Sequence, residues 1–119
     1  MELEKQKRLE AAGIDVQSAL ERFMNNEMLL ERFLKKFLDD PNYGKLKAAQ
    51  AAGDREGAVI ASHSLKGVCG NLSMTGLFDL LTRQVGLLRA EDWAGAMELM
   101  PGIDGAYEET CRAIRETFG

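Results

Sequence analysis

Apolar residues recur along this chain at spacings of three and four and almost nowhere alternate. Leu30, Phe33, Leu34, Phe37 and Leu38 form one such run. Leu77, Leu81, Gln84 and Leu88 form another, with Gln84 as its polar member. With about 3.6 residues per turn, these spacings put the side chains on one face of a helix. The pattern predicts helices from end to end. Residues 2–11 read as a charged, weakly amphipathic helix closed by Gly13. Asp15 is placed to cap a helix of Val16, Ala19, Leu20 and Phe23, and Asn25 or Asn26 to cap the next. The run Asp39 to Gly44 interrupts the pattern, and local sequence favours a break at Pro41 before Leu46 to Ala52 resumes it. Gly53 closes that segment, and Asp54 caps the one after it.

The segment from about Thr75 to Arg89 carries more apolar surface than one buried stripe requires. Phe78 and Val85 widen the stripe on one flank, Leu80 and Leu87 on the other. Two readings stay open: a central helix touching several neighbours, or a strip left exposed for a partner. Gln84, mid-stripe, requires hydrogen-bond partners if buried, and the sequence does not name them. The last stripe is Trp93, Met97, Met100, Tyr107, Cys111, Ile114 and Phe118; its missing step is Asp104, with Ile103 beside it. Pro101 and Gly102 weaken the helix locally, yet the phase continues through them. One kinked helix is therefore expected.

Composition adds bounds rather than identity. The 119 residues are expected to form a single domain over 1–119, with N-terminal helices at about 2–24 and a bundle at about 26–118. The predicted fold class is all-α: an antiparallel up-and-down four-helix bundle with one or two additional short N-terminal helices. Hydrophobic content of 45% and charged content of 29% are ordinary for a soluble domain. A net charge of −4 argues against nucleic acid as a partner, because phosphate neutralisation needs a basic stripe. The charged N-terminus is followed by no apolar signal region, and no run approaches the ~18 apolar residues of a span. No membrane insertion and a cytoplasmic location are expected. Cys69 and Cys111 fall on apolar stripes and read as buried, reduced thiols.

The candidate chemistry centres on His63, the sole histidine of the chain. On the helical wheel Gly67 lies at about +40° from it, Gly70 at about −20° and Lys66 at about −60°. Ala58, Ala61, Leu65, Val68, Cys69 and Leu72 fall on the opposite side and predict the buried face. His63 should therefore point outward between glycines, each costing a helix interior about 1 kcal/mol relative to alanine. A lone histidine is most often a surface residue or a hydrogen-bonded core residue, and the wheel opposes the core role. One histidine and two cysteines are too few for an ordinary closed zinc site. Cys69 lies about 240° around the helix, which excludes a Cys–His pair within it. What remains is a histidine acting on its own.

The motif His63-Ser64-Leu65-Lys66-Gly67, followed by Gly70-Asn71-Leu72, resembles the signature of the histidine-containing phosphotransfer (HPt) domains. Gly13-Ile14-Asp15-Val16 before a helix ending in Arg22-Phe23 is similar to the family's N-terminal lead-in. Ala51-Ala52-Gly53-Asp54 is similar to its approach to the histidine helix, and Leu87 to Trp93 to its link into the last helix. The resemblance covers residues 13–117. It implies one long kinked helix through Pro41, where local sequence prefers a break. The family often has glycine where this chain has Ser73; here the serine is expected to cap the following helix.

The resemblance also implies a function: a phosphoryl carrier in a multistep two-component relay, with His63 as acceptor and donor. Lys66 would contact the phosphoryl oxygens through charge-assisted hydrogen bonds. Gly67 and Gly70 would clear space for the partner, with Val59, Ile60 and Val85 completing the docking surface. The implied partners are response-regulator receiver domains, whose aspartate and Mg²⁺ supply the catalytic machinery, and a hybrid sensor kinase. The chain itself is expected to be a monomer needing no cofactor and no metal. It has no phosphate-binding Gly-x-x-x-x-Gly-Lys-Ser/Thr loop, so no autonomous kinase activity is expected. The alternative is an interaction-only bundle that binds a receiver without accepting phosphate. A sensor-kinase dimerisation domain fits less well, because its histidine box carries an acidic residue after the histidine, where this chain has Ser64.

Overall fold

A computed structural model describes residues 1–119 and shows an all-helical chain. Its helices are α1 (Leu3–Ala11), α2 (Val16–Arg22), α3 (Glu27–Phe37), α4 (Asn42–Ala52), α5 (Arg55–Asn71), α6 (Thr75–Arg89), α7 (Trp93–Glu98) and α8 (Met100–Phe118). The only β feature is an isolated bridge between Ile14 and Met74. Short acidic and amide side chains start four of the helices. Asp15, Asn26, Asp54 and Asp92 accept from the backbone N–H of Ser18, Leu29, Gly57 and Gly95 at 2.9–3.1 Å. Each bond satisfies a donor that the first turn leaves without a helical partner. Gly13 and Gly53, at φ +89° and +64°, end α1 and α4 in a left-handed conformation that costs glycine little.

α5 packs chiefly against α4 and α6; α6 also meets α7 and α8, while α1 and α3 lie on α8. The buried side of α5 is Ala58, Ala61, Ser62, Leu65 and Cys69, with Leu72 just beyond its end. Opposite it stand Leu77, Leu81, Gln84, Val85 and Leu88 of α6. Burying a leucine side chain contributes about 1.5–3 kcal/mol, so this seam is a principal source of stability. α6 has no large hydrophobic residue exposed. Its apolar excess is used on several neighbours, and the reading of an exposed strip falls.

Several expectations need correction. Phe33 leaves the core stripe of α3: it is 39% exposed and leans on Phe23, ring centroids 5.2 Å apart. Val68 and Leu38 are half-buried. α3 and α4 are separate helices. The backbone turns at Leu38–Asp40, and the Asp40 carboxylate accepts from the Asn42 N–H at 2.9 Å. The segment from Trp93 to Phe118 is two helices meeting at Leu99, whose backbone stays right-handed at φ −80°, ψ −15°. The Leu99 N–H reaches back three residues to the Ala96 carbonyl at 3.3 Å, while Ile103 resumes helical bonding to Leu99 at 3.0 Å. Pro101 supplies no N–H at this point. A bend that keeps phase is the result. Ser73 does not cap α6; its φ is +53°, and its buried hydroxyl lies 2.9 Å from that of Ser18.

Candidate functional site

α5 displays His63 at its middle, on the side away from the buried face, and the imidazole is exposed. No side-chain hydrogen bond or ion pair is made by His63 or by Lys66. Both ring nitrogens are thus free of protein partners, and half-buried Lys66 stands one helical turn further on. The cations that do approach carboxylates closely lie elsewhere: the N-terminal ammonium with Glu27, Lys35 with Glu31, and Lys47 with Asp104. A nucleophilic nitrogen beside an unneutralised cation suits a transferable anion better than a stable internal contact. No cluster of three or more His, Cys, Asp or Glu side chains converges anywhere in the fold.

The two glycines of the His63 face differ. A Cβ at Gly67 would meet nothing within 4 Å, so the surface there is open. A Cβ at Gly70 would lie 3.1 Å from the Phe78 ring. Gly70 therefore lets α6 approach, and its bareness is explained inside the molecule. Of the apolar residues expected to line a docking surface, Ile60 is 61% exposed and Val59 is half-buried against the core. Val85 is only 2% exposed, buried between helices and out of a partner's reach. The structure thus groups His63, Lys66, Gly67 and Ile60 on accessible surface and removes Val85 from it.

A groove of about 570 Å³ beside the C-terminal half of α5 escaped the sequence reading. Phe23, Phe33, Phe37, Val68 and Leu72 give it an apolar floor, and Arg22, Lys36, Asp40 and Asn71 a polar rim. Lys36 sits over the Phe33 ring, 5.6 Å from its centroid. Met24, 89% exposed, tops the adjoining α2–α3 turn, whereas Met28 of α3 faces away from the groove, toward Met1, Lys5 and Phe118.

The buried thiols are inert by contrast. Burial pushes the Cys69 thiol up to about 12, and Cys111 moves in the same direction for the same reason. Neither is bonded to the other. No protein-family model, no curated protein and no solved structure matches this chain. No helix is long and apolar enough to cross a membrane.

Proposed function

We propose that this chain is a histidine-containing phosphotransfer protein, carrying a phosphoryl group on His63 between receiver-domain aspartates. The observation that carries the reading is the exposed, unpartnered sole imidazole at mid-helix, with uncommitted Lys66 one turn on and open space at Gly67. The helical arrangement supports it. With α3–α4, α5, α6 and α7–α8 taken as four arms, the fold reads as the up-and-down four-helix bundle of that family. α1 and α2 are then the additional N-terminal helices.

In this reading, the lone pair of one imidazole nitrogen attacks the phosphorus of an aspartyl phosphate on the receiver. The N–P bond forms as the P–O bond to the carboxylate breaks, and the aspartate leaves as carboxylate. The reverse step returns the group to another receiver. The Lys66 ammonium offsets the charge on the transferring oxygens, worth about 1.5 to 2 negative charges by analogy with other phosphorylated side chains. Mg²⁺ belongs to the partner. The groove, the exposed Met24 and Ile60 give the receiver apolar surface to dock on.

The test is label transfer from phosphorylated receivers to the parent and to His63→Gln. The parent should take up acid-labile, base-stable label and the variant none, with equal helical content by circular dichroism. Label retained by His63→Gln would move the acceptor elsewhere. A parent that binds receivers yet takes no label would make it an interaction-only bundle.

A further inference from the structure

Gln84 is fully buried on α6, and both ends of its amide are engaged. Its Nε2 donates to the Ala96 carbonyl at 3.1 Å and to the Met100 sulfur at 3.0 Å, while Oε1 accepts from the Ser62 hydroxyl at 2.8 Å. The amide orientation is chemically fixed, because a carbonyl only accepts and so the NH₂ must face Ala96. Oε1 then faces Ser62, whose hydroxyl must donate. A serine within a helix commonly turns its hydroxyl back on its own helix. Here it is spent on another one.

The chain of bonds joins two places with special needs. Ala96 lies at the bend between α7 and α8, where its carbonyl receives only a long, three-residue bond from Leu99. Gln84 supplies that carbonyl with a second donor. Ser62 immediately precedes His63, and neighbouring side chains on a helix diverge by about 100°. Pinning Ser62 inward holds His63 outward. The rest of the buried face of α5 is mostly small, with Ala58, Ala61 and Cys69 around Leu65. Apolar burial is non-directional, and such a smooth face resists a small rotation weakly. A hydrogen bond to a fixed amide resists it strongly.

We infer that Gln84 is a positioning residue for His63: through Ser62 it sets the rotation of α5 about its axis, referenced to the α7–α8 bend. This rests on the phosphotransfer reading, in which the ring must meet the partner's phosphorus in line. Stability alone does not require the Ser62–Gln84 bond, since replacing both partners of a buried hydrogen bond by apolar groups of similar shape is nearly neutral.

That neutrality provides the test. Ser62→Ala combined with Gln84→Met removes the bond chain and keeps the volume of the amide side chain. Two quantities are measured on the double variant: amide residual dipolar couplings along α5, whose periodic variation reports helix rotation without any partner, and transfer kinetics from a phosphorylated receiver. Expected are melting lowered only by the loss of the second donor to the Ala96 carbonyl, a shifted phase of the α5 couplings, and kcat about tenfold lower with KM unchanged, within the up to ~100-fold cost of ångström-scale misplacement. An unmoved phase, or an unmoved kcat, overturns the inference. If the double variant fails to fold, Ser62→Ala alone, which leaves both Gln84 N–H bonds in place, is read by the same two measurements. A parent that accepts phosphate from no receiver would end the phosphotransfer reading. The phase of α5 would then decide by itself whether Gln84 orients the His63 face.

Discussion

Gly67 and Gly70 look alike in sequence, both bare positions on the His63 face, but their surroundings assign them opposite consequences. Leucine at Gly67 enters open space and gains about 1 kcal/mol of helix propensity. Gly67→Leu should therefore melt about 4 °C higher than the parent, by the usual scaling for a domain of this size. If a receiver docks on this face, the same variant should transfer phosphate poorly. Parental transfer rates in a stabilised Gly67→Leu would show that the partner approaches from another side. Leucine at Gly70 has its Cβ 3.1 Å from the Phe78 ring, closer than packed side chains tolerate. Overpacking of that kind costs about 1–3 kcal/mol, more than propensity returns, so Gly70→Leu should melt lower. Lys66→Ala should leave melting unchanged, since the ammonium makes no ion pair. Its transfer rate should fall, and an unchanged rate would make Lys66 a bystander.

Among the helices, what was legible in the sequence was what is decided locally. Asp15, Asp54 and the glycines Gly13 and Gly53 mark their boundaries because a cap or a left-handed turn involves residues within four of one another. Thr75 and Arg89 bound α6 as the periodicity indicates. The outward placing of His63 followed from the wheel alone. What could not be read was which neighbour covers each side chain. Val85, Phe33 and Val68 sit at the edges of their stripes, where burial depends on the packing of a distant helix. The two polar residues on apolar stripes, Gln84 and Asp104, were visible as anomalies without their partners, which come from other elements. Asp104 of α8 accepts from the Tyr43 hydroxyl at 2.6 Å and from Lys47 Nζ at 2.9 Å, both on α4. The Tyr43 ring also stacks on Tyr107 at 3.8 Å. These contacts fasten α4 to α8. Tyr43→Phe keeps the stack and leaves Asp104 paired with Lys47, so it should cost about 1 kcal/mol, the net worth of one hydrogen bond. Chemical denaturation would measure it, and a loss several times larger would mean that the hydroxyl organises the whole α4–α8 contact.

For the molecule as a whole, the ionisable groups whose titration the fold shifts all move one way. Burial raises Cys69 from 9.0 to about 12, and it raises Tyr43, Tyr107 and Cys111 as well. For Tyr43 the hydrogen bond to Asp104 adds to the effect of burial. In each case the neutral form belongs to the folded state and the anion to the unfolded one. Because the folded pKa lies above the unfolded value, the stabilisation is complete below the unfolded pKa and is lost as pH rises toward the folded one. For Cys69 that window runs from about 9 to 12. A shift of this size corresponds to roughly 4 kcal/mol across the window. The protein should thus be insensitive to alkali up to about pH 9 and lose stability steeply above it. Urea midpoints measured from pH 7 to pH 11 would trace the loss. Cys69→Ala should begin from a lower midpoint at pH 7, because truncating a packed side chain leaves a cavity. Its midpoint should then fall less steeply, since one of the titrating groups is gone. Parallel curves for parent and variant would show that Cys69 ionises without unfolding the chain. Native Cys69 should likewise stay unreactive toward thiol reagents at neutral pH and react at the rate of global opening, because only the unfolded state offers a thiolate to attack.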